Sequence, residues 1–73
     1  MNYTEGAWDR LVSLGAEVTE DMGITKEGRS APRLGIRWGS YYRGIIPSAE
    51  VDLQHAMDVA AWRVIEQVRH ENI

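Results

Sequence analysis

Apolar residues in the first third of the chain recur at helical spacing. At 100° per residue, one side of segment 4–22 collects them. The members of this stripe are Trp8, Leu11, Val12, Gly15, Val18 and Met22. The pattern predicts an amphipathic helix over 4–22, with Thr4 as its N-cap and Gly23 at its C-terminal end. Because a glycine inside a helix costs up to ~1 kcal/mol relative to alanine, a break near Leu14-Gly15 is the alternative.

The middle of the chain changes to a period of two. Residues 24–32 have the composition of a loop, and in 33–38 apolar residues alternate with arginine or glycine, which is typical of a half-buried strand. Gly39-Ser40 fits a two-residue turn with glycine first, and 41–46 follows as the return strand. The pattern therefore predicts a β-hairpin. Its facing pairs would be Trp38–Tyr41, Ile36–Arg43 and Leu34–Ile45.

The last third of the chain predicts one long helix. Segment 49–70 contains neither glycine nor proline, and Ser48 just before it is a favourable N-cap. The core-facing stripe of this helix would comprise Leu53, Met57, Ala60, Ala61, Val64 and Val68. A second apolar side consists of Val51, Val59 and Trp62, beside His55 and Glu66. A helix that is apolar on two sides either packs between two partners or carries an exposed patch.

Trp62 distinguishes these two arrangements. We expect the last helix to lie between the first helix and the hairpin, with Trp62 on the apolar face of strand 33–38. Truncating Trp62 to alanine would then cost about 3–5 kcal/mol. In the alternative arrangement, Trp62 is exposed and contributes to partner binding. Both arrangements describe a single α+β domain over residues 1–73, with an N-terminal amphipathic helix, a central β-hairpin and a long C-terminal helix.

Composition limits how this domain is stabilised. The chain has 73 residues, a mass of 8.3 kDa and no cysteine, so neither a disulfide nor a thiolate–metal site staples it. The segment Met1–Glu5 has neither the basic nor the apolar region of a signal peptide, and no apolar run approaches the ~20 residues of a membrane span. We therefore expect a cytoplasmic monomer.

Charge is segregated along the chain, although the net charge is only −3. Residues 1–25 carry five acids and one arginine, a net charge of −4. Residues 26–43 carry five bases and one acid, a net of +4, and residues 44–73 return to −3. The basic segment either folds against its acidic flanks and is neutralised there, or offers a positive surface to a partner.

Motifs for catalysis and for metal binding are lacking. No glycine-rich phosphate loop occurs, and neither histidine has a plausible nucleophile beside it in sequence, so we expect no enzyme activity and no cofactor. The pairs Asp52/His55 and Glu66/His70 have spacings that share a helix face. Both pairs lie on one predicted helix, whereas carboxylate–histidine sites draw ligands from several helices. We therefore predict no metal site.

The segment Arg33–Arg43 interleaves arginines with aromatic residues. Nucleic-acid-binding surfaces use this mixture, and so do protein interfaces. A pI of about 5.2 favours a protein partner and predicts weak or no nucleic-acid binding. A helix-turn-helix does not fit, because Pro32 or charged residues would fall at critical helical positions. The predicted partner-binding residues are Arg33, Arg37, Trp38, Tyr42, Arg43 and Trp62.

The sequence Trp-Gly-Ser-Tyr-Tyr-Arg-Gly at 38–44, together with the length and charge layout, resembles the small phage transcription regulators that bind host RNA polymerase, as in a lytic Xanthomonas phage. The resemblance carries over no individual residue. It implies a viral protein of the host cytoplasm that binds the largest polymerase subunit near its N-terminus. Such a protein inhibits sigma-dependent initiation and promotes transcription antitermination.

Two other functional classes remain open. One is an inhibitor of a host defence complex, encoded by a phage or plasmid, that uses the acids at 5, 9, 17, 20 and 21 as a partial mimic of nucleic acid. The other is a small nucleic-acid-binding module that uses the basic hairpin.

Overall fold

A computed structural model describes residues 4–71. Residues 1–3, which begin the segment for which we predict no signal peptide, and residues 72–73 lie outside the described part. The elements are helix α1 (Ala7–Ser13), strands β1 (Glu17–Ile24), β2 (Ser30–Trp38) and β3 (Tyr41–Ile45), a short 3₁₀ helix (Pro47–Ala49) and helix α2 (Leu53–Glu71). The strands form one sheet in the order β1-β2-β3, with both neighbouring pairs antiparallel. The predicted α+β class is confirmed.

The first helix is much shorter than the predicted 4–22. It ends because Gly15 adopts a left-handed conformation (φ 102°), which glycine tolerates best. Two backbone hydrogen bonds close its C-terminus: the N–H of Ala16 donates to the carbonyl of Leu11 at 3.1 Å, and that of Gly15 donates to Val12 at 3.0 Å. The break that the sequence left open near Gly15 is therefore the helix end.

Residues beyond this break form β1, so the prediction of helix up to residue 22 is wrong. Val18 and Met22 lie four residues apart, a spacing that places them on one face of a strand as well as on one face of a helix. Gly23, the predicted helix end, lies within β1. The N-cap position of α1 belongs to Gly6 instead of Thr4.

β1 and β2 pair as far as Ile24, at the end of β1. The connecting loop is 25–29, so the predicted loop 24–32 is too long. Pro32 is accommodated within β2 because β3 pairs with β2 only as far as Leu34. At Pro32, β2 is therefore an edge strand on that side, which is where a sheet tolerates proline.

The hairpin predicted from alternation is confirmed. Gly39 takes the left-handed conformation (φ 66°) that the first position of this two-residue turn requires. The three predicted pairs are present: Trp38–Tyr41, Ile36–Arg43 and Leu34–Ile45. β3 is slightly shorter than the predicted 41–46, since it ends at Ile45.

α2 begins later than the predicted residue 49. The 3₁₀ helix precedes it, so Ser48 does not cap α2. Asp52 takes this role, because its Oδ1 accepts the N–H of His55 at 3.1 Å. Val51 consequently lies before the helix and is fully exposed.

α2 packs on one face of the sheet, and α1 packs against α2. The buried hydrophobic cluster consists of Ala7, Trp8, Leu11, Ile36, Ala61 and Val64. α2 contacts both α1 and β3, as expected for a helix with two apolar sides. Its predicted core stripe is buried at Ala60, Ala61 and Val64, half-buried at Met57 and Val68, and exposed at Leu53.

Asp58 is a buried carboxylate that the stripe did not predict. It is 5% exposed, and its two oxygens accept the N–H of Gly6 at 3.1 Å and the N–H of Trp8 at 3.0 Å. The side-chain amide of Gln54 also donates to Oδ1 at 3.4 Å. Because the N–H groups at a helix start have no partner within the helix, α2 supplies through Asp58 the cap that α1 lacks in its own sequence.

Candidate functional site

The predicted partner-binding residues do not form one surface. Side chains alternate along a strand, and the observed register places Arg33, Arg37 and Tyr42 on the sheet face that points away from the helices. We call this the outer sheet face. Trp38 and Arg43 lie on the helix-covered face, which they share with Ile36. The six predicted residues are therefore divided between two sides of the sheet and α2.

Arginines on the outer sheet face are paired with carboxylates of β1. The guanidinium of Arg33 donates to both oxygens of Asp21, at 2.8 and 2.6 Å. Arg37 donates across the strands to one oxygen of Glu17. The hydrogen bonds and positive charge of Arg33 hold the pKa of Asp21 below its usual value. The basic segment is thus partly neutralised by its acidic flank, which is one of the two alternatives left open by the charge pattern.

Tyr42 covers the middle of the outer sheet face. Its ring lies across Gly35, where an added Cβ would overlap both this ring and the hydroxyl of Thr19. The Thr19 hydroxyl is buried and makes no hydrogen bond within the described part of the chain. Glycine at position 35 therefore provides the space in which Tyr42 lies flat, so the outer sheet face is closed by its own side chains.

Trp38 lies beside the hairpin turn and packs against the buried cluster. Its cross-strand neighbour Tyr41 donates its phenolic hydrogen to Glu71 near the end of α2. This hydrogen bond, with burial and the carboxylate charge, raises the pKa of Tyr41. The turn is therefore tied to the end of α2, and Trp38 contributes mainly to packing.

A groove of about 660 Å³ runs between β3 and α2. We call it the β3–α2 groove. Its lining residues are Arg43, Gly44 and Ile45 of β3, residues 49–52 of the connection, and His55, Ala56, Val59, Ala60 and Arg63 of α2. Three of the α2 residues (Ala56, Val59 and Ala60) and Ile45 give it an apolar wall, while the ionisable residues lie at the two ends.

The charges in the β3–α2 groove are separated. Arg43 and Arg63 line it from facing elements, and neither takes part in the ion pairs found among residues 4–71. Glu50 and Asp52 lie in the connection between β3 and α2 and contribute negative charge there. The groove thus combines an apolar wall with two unpaired guanidinium groups, a combination that the outer sheet face lacks.

Trp62 lines a second, smaller depression of about 300 Å³. The two depressions share Arg43, Val59 and Arg63, so they are adjacent along α2. Trp62 is half-buried and packs against the hydrophobic cluster. Its position is intermediate between the two arrangements considered from sequence, since it both contacts the core and reaches a surface depression.

Replacing Trp62 with alanine should leave the protein folded but less stable. Full burial would cost about 3–5 kcal/mol; for a half-buried ring we expect about 2 kcal/mol, which lowers the Tm of a domain of this size by roughly 8–16 °C. Thermal melts followed by circular dichroism test this, with exposed Arg69→Ala on the same helix as the control. An unchanged midpoint for Trp62→Ala would show that the ring does not support the core.

Sequence reasoning named Arg43 but missed Arg63 and the groove that these two residues line together. The signal for the α2 side was present, because His55, Val59 and Arg63 are spaced by four residues and so share one helix face. This spacing does not predict which residues of β3 complete the groove, because that depends on where α2 crosses the sheet.

The described residues show no group of three or more potential metal-binding side chains from His, Cys, Asp and Glu. No helix within residues 4–71 is both long enough and apolar enough to cross a membrane.

Comparisons of the chain with models of protein families, with curated proteins and with solved structures give no match.

Proposed function

We propose that this chain is a non-catalytic module that binds another protein through the β3–α2 groove. The observation that carries the proposal is the pair Arg43 and Arg63, which flank an apolar wall without a carboxylate partner in the described chain. Tryptophan, tyrosine and arginine beside an apolar patch are the residues that dominate binding energy at protein interfaces.

A protein partner is favoured over nucleic acid by the distribution of charge. Arg33 and Arg37, half of the arginines in the basic segment, are already paired with carboxylates. Glu50 and Asp52 also line the groove that holds the unpaired arginines, so the groove offers no continuous positive track for a phosphate backbone. With a net charge of −3 for the whole chain, binding of free DNA or RNA is expected to be weak.

The proposed partner is the largest subunit of host RNA polymerase. This subunit is the partner that the resemblance to phage transcription regulators implies. The proposal is that binding near the N-terminus of that subunit interferes with sigma-dependent initiation and promotes antitermination. Support comes from the resemblance at 38–44, part of which is β3, and from Arg43 within it, which lines the groove.

The mimic of nucleic acid has less support. It was motivated by five acids on one predicted helix, but these residues are divided between the α1 region and β1. Two of them, Glu17 and Asp21, are paired with arginines. The described structure therefore lacks the continuous acidic helix that such a mimic would use.

Charge reversal in the groove tests the proposed function. We expect Arg43→Glu combined with Arg63→Glu to weaken binding to purified Xanthomonas RNA polymerase at least tenfold, or about 1.4 kcal/mol, measured by biolayer interferometry. The control exchanges the outer-face pair, Glu17→Arg with Arg37→Glu, and should keep both its affinity and its circular dichroism spectrum because the pair is retained in reverse.

Two results would contradict the proposal. Equal loss of affinity in the control would place the contact on the outer sheet face and reject the groove. Absence of polymerase binding by the unaltered chain would reject this partner.

A further inference from the structure

β3 is an edge strand with an unpaired side. Among residues 4–71, it pairs with β2 alone. Trp38 and Tyr41 flank a two-residue turn and so form a hydrogen-bonded pair, after which hydrogen-bonded and non-hydrogen-bonded pairs alternate. The backbone groups of Tyr42 and Gly44 therefore point away from β2. No loop backbone in residues 4–71 is hydrogen-bonded to them, so this edge is available to another strand.

The β3–α2 groove reaches this edge. Gly44 points to the outer sheet face, whereas Arg43 and Ile45 point to the helix-covered face, yet all three residues line the groove. A chain laid along β3 would therefore pair with its backbone and would also place every second side chain over the groove. Backbone pairing supplies affinity in this mode of recognition, and the side-chain positions supply specificity.

The chemistry of the groove selects what such a strand would carry. Ile45 and Val59 offer apolar contact, while Arg43 and Arg63 offer guanidinium groups that suit a carboxylate. We propose, building on the protein-binding function above, that the occupant is an extended peptide segment of the partner that adds to β3 as a fourth strand. It places an apolar side chain against Ile45 and Val59, and an aspartate or glutamate between the two arginines.

A second copy of the chain fits this edge less well when it pairs through its own β3. The strand reads Tyr-Tyr-Arg-Gly-Ile and contains no acid. Symmetric pairing of two such strands would bring the arginines of both copies together without supplying a carboxylate. The second depression shares Arg43 and Arg63 with the groove but not Glu50 or Asp52, so the arginines lie at the end of the groove away from these acids. That end therefore favours a different segment that carries a carboxylate.

The test is a titration of the full-length, ¹⁵N-labelled chain with synthetic peptides, followed by two-dimensional amide spectra. The acidic probe is acetyl-Thr-Val-Thr-Glu-Thr-amide, in which valine and glutamate lie two residues apart and so face the groove together. The matched control is acetyl-Thr-Val-Thr-Lys-Thr-amide. We expect the acidic peptide to shift the amides of Tyr42, Gly44 and Val59 and to bind at least tenfold more tightly than the basic one. The Arg43→Glu, Arg63→Glu double variant should reverse this preference.

A third peptide isolates strand addition. Methylation of alternate backbone nitrogens of the acidic peptide removes donors to the β3 edge but keeps every side chain, and should weaken binding at least tenfold. Undiminished binding of the methylated peptide would overturn strand addition while leaving the groove as the protein-binding site. Shifts confined to other residues, equal affinity for both charges, or no shifts at roughly millimolar peptide would overturn the inference.

A measurement on the chain without peptide tests whether a second copy binds at the β3 edge. Concentration-dependent shifts at Tyr42 and Gly44 without peptide, together with a dimer in sedimentation, would show that a second copy occupies the edge and would also overturn the inference. Polymerase binding is measured separately. If the unaltered chain does not bind polymerase, the proposed partner is wrong. If the unaltered chain binds polymerase and the groove variant does not, but the peptide results fail, only the proposed strand addition is wrong.

Discussion

Ile36→Ala is expected to leave much of the protein unfolded at room temperature. Ile36 is 0% exposed and belongs to the buried cluster that also contains Leu11 of α1 and Val64 of α2. Truncating a fully buried isoleucine costs about 2–5 kcal/mol. A domain of this size rarely has more than roughly 3–5 kcal/mol in total, so this one cavity removes most of the stability.

The matched control is Ile24→Ala in β1, the strand that pairs with β2. By register, Ile24 lies on the same side of the sheet as Ile36, but its side chain is 67% exposed because no helix covers that end of β1. Its truncation should change stability by no more than about 0.5 kcal/mol. Urea unfolding followed by circular dichroism compares the two variants. Similar midpoints would mean that the helices do not pack where the structure places them.

Two independent signals made the β2–β3 hairpin predictable. Alternation identified the strand 33–38, and glycine at the first position of Gly39-Ser40 identified a turn whose length fixes the register. Because the turn fixes the pairing, all three predicted cross-strand pairs were confirmed. The long helix was predictable as well, because its apolar residues repeat over several turns without a glycine or proline.

The prediction of the first helix was wrong beyond Gly15 because the apolar positions there fit both the helical period of 3.6 residues and the strand period of two. Val18 and Met22 lie on one side of a helix and also on one face of a strand. An apolar pattern of this length is compatible with both a helix and a strand. Gly15 decides between the two, because its left-handed conformation ends the helix. Once the chain adopts a left-handed conformation there, the residues after it pair with β2 and the helix does not continue.

This error determined how much of the site was predictable. The predicted pairing of Ile36 with Arg43 already placed that arginine on the apolar face of the hairpin, apart from Arg33 and Arg37. Their ion pairs with Asp21 and Glu17 were inaccessible from sequence, because both acids were assigned to a helix. The pairing of charges across strands depends on a register that becomes visible only when β1 is recognised as a strand.

Asp58→Ala is expected to cost about 3 kcal/mol, since hydrogen bonds to a charged acceptor contribute about 1.5–3 kcal/mol each and unpaired buried donors are costly. The variant loses the acceptor for the N–H of Gly6 and for the N–H of Trp8. The N-cap residue of α1 is Gly6, which has no side chain that could accept a hydrogen bond from these N–H groups. Helix α1 should therefore separate from α2, and the exchange of the Trp8 amide hydrogen should become faster than in the unaltered protein.

Asp52→Ala is the matched control, because it removes one aspartate and one negative charge from the same part of the chain. Asp52 caps only the start of α2, through His55, so its loss should cost about 1 kcal/mol and leave the exchange of Trp8 unchanged. Asp58→Asn should fall between the two, since its amide oxygen accepts one hydrogen bond and its NH₂ group faces a second donor. If Asp58→Ala proved no more destabilising than Asp52→Ala, the carboxylate would not be what joins the two helices. A selective effect at Trp8 would instead identify a tertiary cap, in which the buried acid of the long helix compensates for a short helix that begins with Gly6.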